Sequence, residues 1–252
     1  GKVDDRIVSL MDLGPTVLSL LNIEPPKHYD GKAIAGKYEE KPRSYAFGTA
    51  DRFDESTDMQ RSVLDGRYVY IKNFMPELPL IYRNKYRERI TMNSKLIQMD
   101  SLDMLEGDAK YIFMKTKPPE EFYDLVNDPY EVTNIIDDPK HADRINNFRF
   151  ALENWQQEIN DQGFIDENKL IESFWPNMIQ PKTENVEFKI RDDGLYELTS
   201  TTKGASIGYQ IDEKIGTNSW RLYHEPIIIG NNQKIVARAI RIGYKASEIT
   251  SN

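Results

Sequence analysis

The chain has 252 residues, 39% of them apolar, with a mean hydropathy of −0.64 and a formal net charge of −8. That length suffices for one large or two ordinary domains with a proper core, and no apolar run approaches the roughly 18–20 residues that span a bilayer. There is no cysteine, so disulfides, thiolate nucleophiles and Cys-based zinc sites are excluded together.

The charge is uneven. From Pro181 to Asn252 there are 10 Lys/Arg against 9 Asp/Glu, so residues 1–180 carry −9. An acidic body argues against a general nucleic-acid or anionic-membrane binder, because counterion release needs a basic face.

The chain opens "GKVDDRIVSLMDLGP", already inside an apolar-patterned element and without a starting methionine or leader, which reads as a fragment. "RIVSLMDLGPTVLSLLNI" predicts a short apolar element to Met11, then a helix capped by Asp12, with Pro15 in its first turn and Val17, Leu18, Leu20 and Leu21 on the buried side. "EPP" after Ile23 stops it. An apolar helix at a truncated end is expected to leave an exposed patch over Asp5–Ile23.

"RSYAFGT" predicts a strand, and "MQRSVLDGRYVYIKNF" a hairpin, with Asp65-Gly66 suiting the positive φ angles of a type I′ turn. Between them lies "GTADRFDESTDMQRS", which holds Asp51, Arg52, Asp54, Glu55, Asp58 and Arg61 in eleven residues of mixed sign. Loops between rigid strands are where binding groups are commonly carried. No glycine follows the third acid, so this is not an EF-hand loop, and as a bare feature it reads either as a solvated loop or as a ligand-facing one. Downstream, "YRNKYRER" alternates Arg83, Lys85, Arg87 and Arg89 with Tyr82 and Tyr86; a solvated face is the plainer reading, an anion site the sharper one.

"EFYDLV" supplies a fourth strand, with antiparallel pairing the simplest arrangement. Asp138 then caps a helix with Pro139 in its first turn, and Ile145, Phe148, Leu152, Trp155 and Ile159 recur at spacings of 3, 4, 3 and 4, a single apolar face suited to cover a sheet. "GFIDENKLIESFWPNMIQP" reads as a connector. From Glu184 onward, "NVEFKI", "LYELTS", "ASIGYQI", "WRLYH", "PIII" and "KIVARAIRI" are short β runs broken by turns, the pattern of a small β-sandwich.

Motifs that carry chemistry are scarce. His28, His141 and His224 show no metal-ligand spacing. There is no glycine-rich phosphate loop and no G-x-S-x-G elbow.

Three segments in order carry a resemblance. "VSLMDLGPTVLSLLNIEPPKHYDGKAI" resembles the stretch that closes the catalytic domain of type I sulfatases of the alkaline phosphatase superfamily. "RSVLDGRYVYIKNF" resembles the hairpin of their C-terminal subdomain, and "EEFYDLVNDPYEVTNI" their E-L-Y-D-L-x-x-D-P-x-E-x-x-N-L signature. "ADRFDESTDMQRSV" with "NFMPELP" is similar to the heparan N-sulfatase (sulfamidase) branch and related bacterial glycan sulfatases. The tail is similar to the small β-sandwich at the C-terminus of chitobiases and β-hexosaminidases.

The resemblance implies an α+β fold, a four-stranded antiparallel sheet with a covering C-terminal helix, followed by an immunoglobulin-like β-sandwich. It divides the chain into residues 1–25, ending the α/β catalytic domain; 26–162, the sulfatase C-terminal subdomain; a linker over 163–180; and the sandwich over 181–252. The implied parent is a sulfatase hydrolysing sulfate esters or N-sulfates on a glycan, using formylglycine and calcium and working in the periplasm or outside the cell. Within it, Asp51, Arg52, Asp54, Glu55 and Arg61 are expected to face the substrate; the competing expectation is that Arg61 pairs with a neighbouring Asp to hold the sheet edge. No Ser or Cys here starts the C/S-x-P/A-x-R motif, so nucleophile and metal site are expected in a missing N-terminal catalytic domain and this chain alone is expected to be inert, without cofactor. A free-standing glycan-binding sandwich and the terminal part of a phosphodiesterase of the same superfamily are the alternatives.

Overall fold

The computed structural model describes residues 3–52, 56–230 and 232–252. The chain forms two compact units, Gly1–Gly163 and Phe164–Asn252.

The first unit is built on an antiparallel sheet in the order β1-β2-β3-β4, comprising β1 (Ala46–Ala50), β2 (Gln60–Leu64), β3 (Tyr68–Asn73) and β4 (Glu120–Asp124). Its register lines up Phe47, Val63, Tyr70 and Phe122 across one face, because successive side chains on a strand alternate between faces. Helix α5 (Ala142–Glu158) lies on that face, and Ile145, Phe148 and Leu152 pack into one core with Val63, Tyr68, Tyr70 and Phe122. Phe47 stacks on Trp155 with centroids 4.7 Å apart, and Phe122 meets Phe148 edge-on at 5.4 Å. The Asp138 carboxylate accepts from the Lys140 N–H at 2.9 Å, so the expected cap forms; one 3₁₀ turn at Pro139–His141 precedes the α-helix. Ile159, read as part of the buried face, is 45% exposed.

The β2–β3 turn differs in type from the expected one. Asp65 N–H donates to the Tyr68 carbonyl, the Asp65 carboxylate accepts from the Arg67 and Tyr68 N–H groups, and positive φ occurs at Gly66 alone. A single positive φ at the first central position is the pattern of a II′ turn, with Gly66-Arg67 central; a I′ turn would need a second one.

Between β3 and β4 stand three helices that the sequence reading left without assignment, α2 (Lys85–Glu88), α3 (Thr91–Ser101) and α4 (Ala109–Ile112). Tyr111 on α4 donates to Glu121 at 2.9 Å, on the sheet face opposite α5. Tyr123 donates to the same carboxylate at 2.5 Å and Asn73 at 2.6 Å, so Glu121, 3% exposed, is buried among neutral donors.

The N-terminal helix turns outward the side read as buried, which gives the exposed apolar patch expected over Asp5–Ile23. A 3₁₀ turn at Leu10–Asp12 leads into α1 (Leu13–Leu20), and the side chains turned inward are Asp12, Pro15 and Ser19. Asp12 does not cap α1. Its carboxylate accepts the Ser9 and Lys32 N–H groups, each at 2.8 Å, and pairs with Arg43. Backbone packs tightly on this side: a Cβ on Gly31 would lie 2.0 Å from the Met11 carbonyl oxygen. The apolar side, including Val17 (48%), Leu20 (60%) and Leu21 (63%), is exposed.

In the second unit, α6 (Glu167–Phe174) occupies part of the stretch read as a connector, with the Asp166 carboxylate accepting the N–H groups of Asn168 and Lys169 as its N-cap. Strands β5 (Glu187–Ile190) and β6 (Tyr196–Thr199) form one hairpin; β7 (Ser206–Ile211), β8 (Arg221–Leu222), β9 (Ile235–Ile240) and β10 (Thr250–Ser251) form a second sheet in the order β10-β9-β7-β8. Val186 beside β5 and Leu198 on β6 share a core with Ile207, Tyr209, Ile235, Ala237 and Ala239, so the two sheets are layers about one interior. "PIII" contributes a single bridge, Ile227 to Tyr196, and no strand.

Candidate functional site

The mixed-charge loop joins the ends of β1 and β2, where Ala50 pairs with Gln60 and Thr49 with Arg61. Arg61 lies two residues before Val63, so its side chain leaves the sheet on the helix-covered face, at the level where α5 ends. That helix ends at Glu158, and two residues on Asn160, with a φ of +50°, reverses the chain, so that Asp161 is aimed back at the sheet.

The Arg61 guanidinium meets Asp161 as a fork, Nε to Oδ2 at 2.7 Å and Nη2 to Oδ1 at 2.8 Å, and gives Nη1 to Asp51 at 2.7 Å. Its side chain is 1% exposed, that of Asp161 6% and that of Asp51 26%. Gln156 and the Gly163 N–H complete the shell of Asp161 at 3.1 and 3.0 Å. A Cβ at 163 would lie 2.1 Å from Arg61 Nη2, so any side chain there would have to push the guanidinium out of its fork. Burial opposes the charge on Arg61, yet the bonds to Asp161 and Asp51 hold its pKa above the ordinary value. The Arg61 fork, helped by the Gly163 N–H and Gln156, depresses Asp161 to about 2, against its desolvation. Paired, forked and hydrogen-bonded, these are the conditions under which buried charges are tolerated.

A second ion pair fixes the far end of the loop. The Lys117 side chain, 1% exposed, donates to Asp58 at 2.6 Å and stands near the Tyr82 hydroxyl at 3.4 Å. Burial, and then the Asp58 charge, push the Tyr82 phenol well up. Asp58 also accepts the Met59 N–H at 2.7 Å. The loop is therefore anchored at both ends by buried charges.

Of the five residues expected at a substrate surface, Asp51 and Arg61 are brought together, with Arg61 enclosed and its fork committed to two carboxylates rather than presented to solvent. Arg52 is exposed beside them, and Asp54 and Glu55 lie outside the described residues. Asp161 and Lys117 escaped the sequence reading: they lie 100 and 59 residues from their partners Arg61 and Asp58, beyond any local spacing signal, and Tyr82, read there with the basic cluster, stands instead by Lys117 and Asp58. Among the described residues no group of three or more His, Asp or Glu side chains stands in position to hold a metal ion, and none forms a helix long and apolar enough to cross a membrane.

No protein-family model matches the chain. Relatives are found among curated proteins. An ulvan-active sulfatase of Formosa agariphila is 33% identical over 250 residues, covering 97% of this chain and 41% of its own length. The human N-sulphoglucosamine sulphohydrolase is 24% identical over 72% of this chain and 38% of its own, and an arylsulfatase of Clostridium perfringens 22% over 69% and 27%. Solved structures of a 2-O GAG sulfatase and of a protein bound to its substrate D-glucosamine-2-N,6-O-disulfate superpose with TM-scores of 0.42 and 0.38, at 20% and 17% identity. They cover 64% and 62% of this chain and 27% and 25% of theirs. The chain thus spans less than half the length of the relatives it matches, and over nearly all of its own length it is similar to a sulfatase.

Proposed function

We propose that this chain is the C-terminal part of a glycan sulfatase, a hydrolase of sulfate esters or N-sulfates, and that it completes the substrate cleft of a catalytic domain it does not itself contain. The observation that carries this reading is the 33% identity with the ulvan-active sulfatase across 97% of the chain. Formylglycine and calcium would belong to the catalytic domain. The residues here do not fit them: the sequence has no Cys and no Ser in the required motif, and the described acids do not converge.

The catalytic domain would cover the apolar side of α1, where Leu13, Val17, Leu20 and Leu21 are all at least 48% exposed. The β1–β2 loop would then face the cleft. In this reading Arg52 holds a sulfate or carboxylate, as its planar fork suits an oxyanion, and Asp54, Glu55 and the solvent side of Asp51 accept hydroxyl or amino hydrogens. Arg61 contributes by fixing Asp51. The domain division at residues 25, 162 and 180, and a periplasmic or extracellular site of action, belong to the same proposal.

Sulfate release from an aryl sulfate and from ulvan tests it. The 252-residue chain alone is expected to release none, and calcium-dependent turnover by the pure chain would overturn the assignment of the chemistry to another domain.

A further inference from the structure

The outer face of the second unit's larger sheet carries a feature that nothing in the catalytic reading uses. Gly208, in the middle of β7, pairs directly with Leu222 on β8 and with Arg238 on β9, so these three residues form one row across the face turned away from the core. A glycine inside a strand weakens it unless something approaches closely. Here it is an indole: a Cβ on Gly208 would lie 3.3 Å from Trp220 Cε3 and 3.8 Å from Trp220 Cβ. Trp220 nevertheless keeps 38% of its surface exposed, beside Leu222 at 66% and Ile240 at 51%. Arg238 is exposed, and no described residue pairs with or accepts from its guanidinium. Its charge acts on Glu248, whose carboxylate is held by Lys182.

We propose that this face is a second, non-catalytic binding site for an anionic glycan chain, with one pyranose lying on Trp220 and its sulfate or carboxylate held by Arg238. The proposal rests on the reading that the protein serves a glycan sulfatase. Directly opposed strand residues lie about 5 Å apart, so the row from Leu222 to Arg238 spans about 10 Å, enough for one sugar and its substituent. An indole offers a large rigid apolar surface at small entropic cost. An unengaged guanidinium next to it supplies charge complementarity for an oxyanion, and it does so in the part of the chain that is not acidic, since residues 181–252 carry 10 basic against 9 acidic groups.

Affinity electrophoresis of the 252-residue chain through gels containing ulvan, or chemically desulfated ulvan, tests this directly. The wild-type chain should be retarded more by the sulfated polymer. Trp220→Ala should weaken binding about tenfold or more to both polymers, as loss of a central aromatic anchor does. Arg238→Gln, a surface change that leaves the fold intact, should remove the preference for the sulfated form, while the charge-matched Lys95→Gln, exposed on the first unit, leaves retardation within twofold. Should Trp220→Ala unfold by circular dichroism, Arg238→Gln decides alone. No retardation of the wild type, or both variants within twofold of it, would overturn the site. Failure of the sulfatase reading would appear instead as absent sulfate release by the longer polypeptide, with retardation unaffected.

Discussion

Replacing Asp161 by Asn removes one charge from a buried pair while keeping its volume. Arg61 would lose the fork at 2.7 and 2.8 Å and retain Asp51 at 2.7 Å. Leaving a buried charge without its partner costs about 3–5 kcal/mol, and the surviving Asp51 contact brings the expected loss below that range, to about 2–3 kcal/mol. For a unit of this size that is a fall in melting temperature of roughly 5–10 °C. The pH dependence gives an independent measure. The Arg61 fork holds the Asp161 carboxyl down to about 2, below the usual carboxylate value of about 3.9, and such a depression corresponds to about 2 kcal/mol of stability. Because the folded value is the lower one, this contribution is present above pH 4 and disappears as the pH falls toward 2. Urea unfolding of wild type and D161N from pH 6 to 2.5 should therefore show two curves that converge in acid. Stabilities within about 0.5 kcal/mol at pH 6, or parallel curves across the range, would refute the pairing.

Other consequences can be measured in the same way. Gly163→Ala should destabilise as much as D161N, since its Cβ would collide with Arg61, and a melting temperature unchanged from wild type would contradict the close approach. Lys117→Met leaves Asp58 without its buried cation and should cost about 2–4 kcal/mol in urea, with a stabilised variant as the contrary result. Leu152→Ala, at a site 1% exposed in the α5–sheet core, should cost about 2–5 kcal/mol; a loss below about 1 kcal/mol would mean that the helix does not close that core. Leu20→Glu with Leu21→Glu should leave the melting temperature unchanged and reduce concentration-dependent self-association by sedimentation. A large thermal loss would show that these side chains are interior after all.

Much of the framework was legible because it is local. The aromatic and β-branched alternation of "SVL" and "RYVYIKNF" marks β2 and β3, and the 3-4-3-4 spacing from Ile145 places α5 on the sheet. The turn type was not legible, since Asp65-Gly66 admits either register and the choice depends on which pairs close around it. On α1 the periodicity revealed an apolar side but not what covers it, and the side that packs here is the one carrying Asp12, Pro15 and Ser19. The helices between β3 and β4 have weak amphipathic patterns, so no face announced them. At the loop, the cluster of charges was visible in sequence, but its organisation was not. Arg61 is defined by Asp161, a hundred residues away, brought there by the full length of α5 and a left-handed Asn160.

The most direct test is sulfate release from ulvan by the 252-residue chain alone and, on the function proposed above, by a longer polypeptide in which a nucleophile-bearing sulfatase domain precedes it. The account predicts no release by the chain alone, release by the longer polypeptide, and a loss of about 10- to 100-fold in kcat/KM on Arg52→Ala, the effect of one charged substrate contact, at unchanged melting temperature. Turnover by the isolated chain, or wild-type kinetics in the Arg52→Ala enzyme, would contradict it.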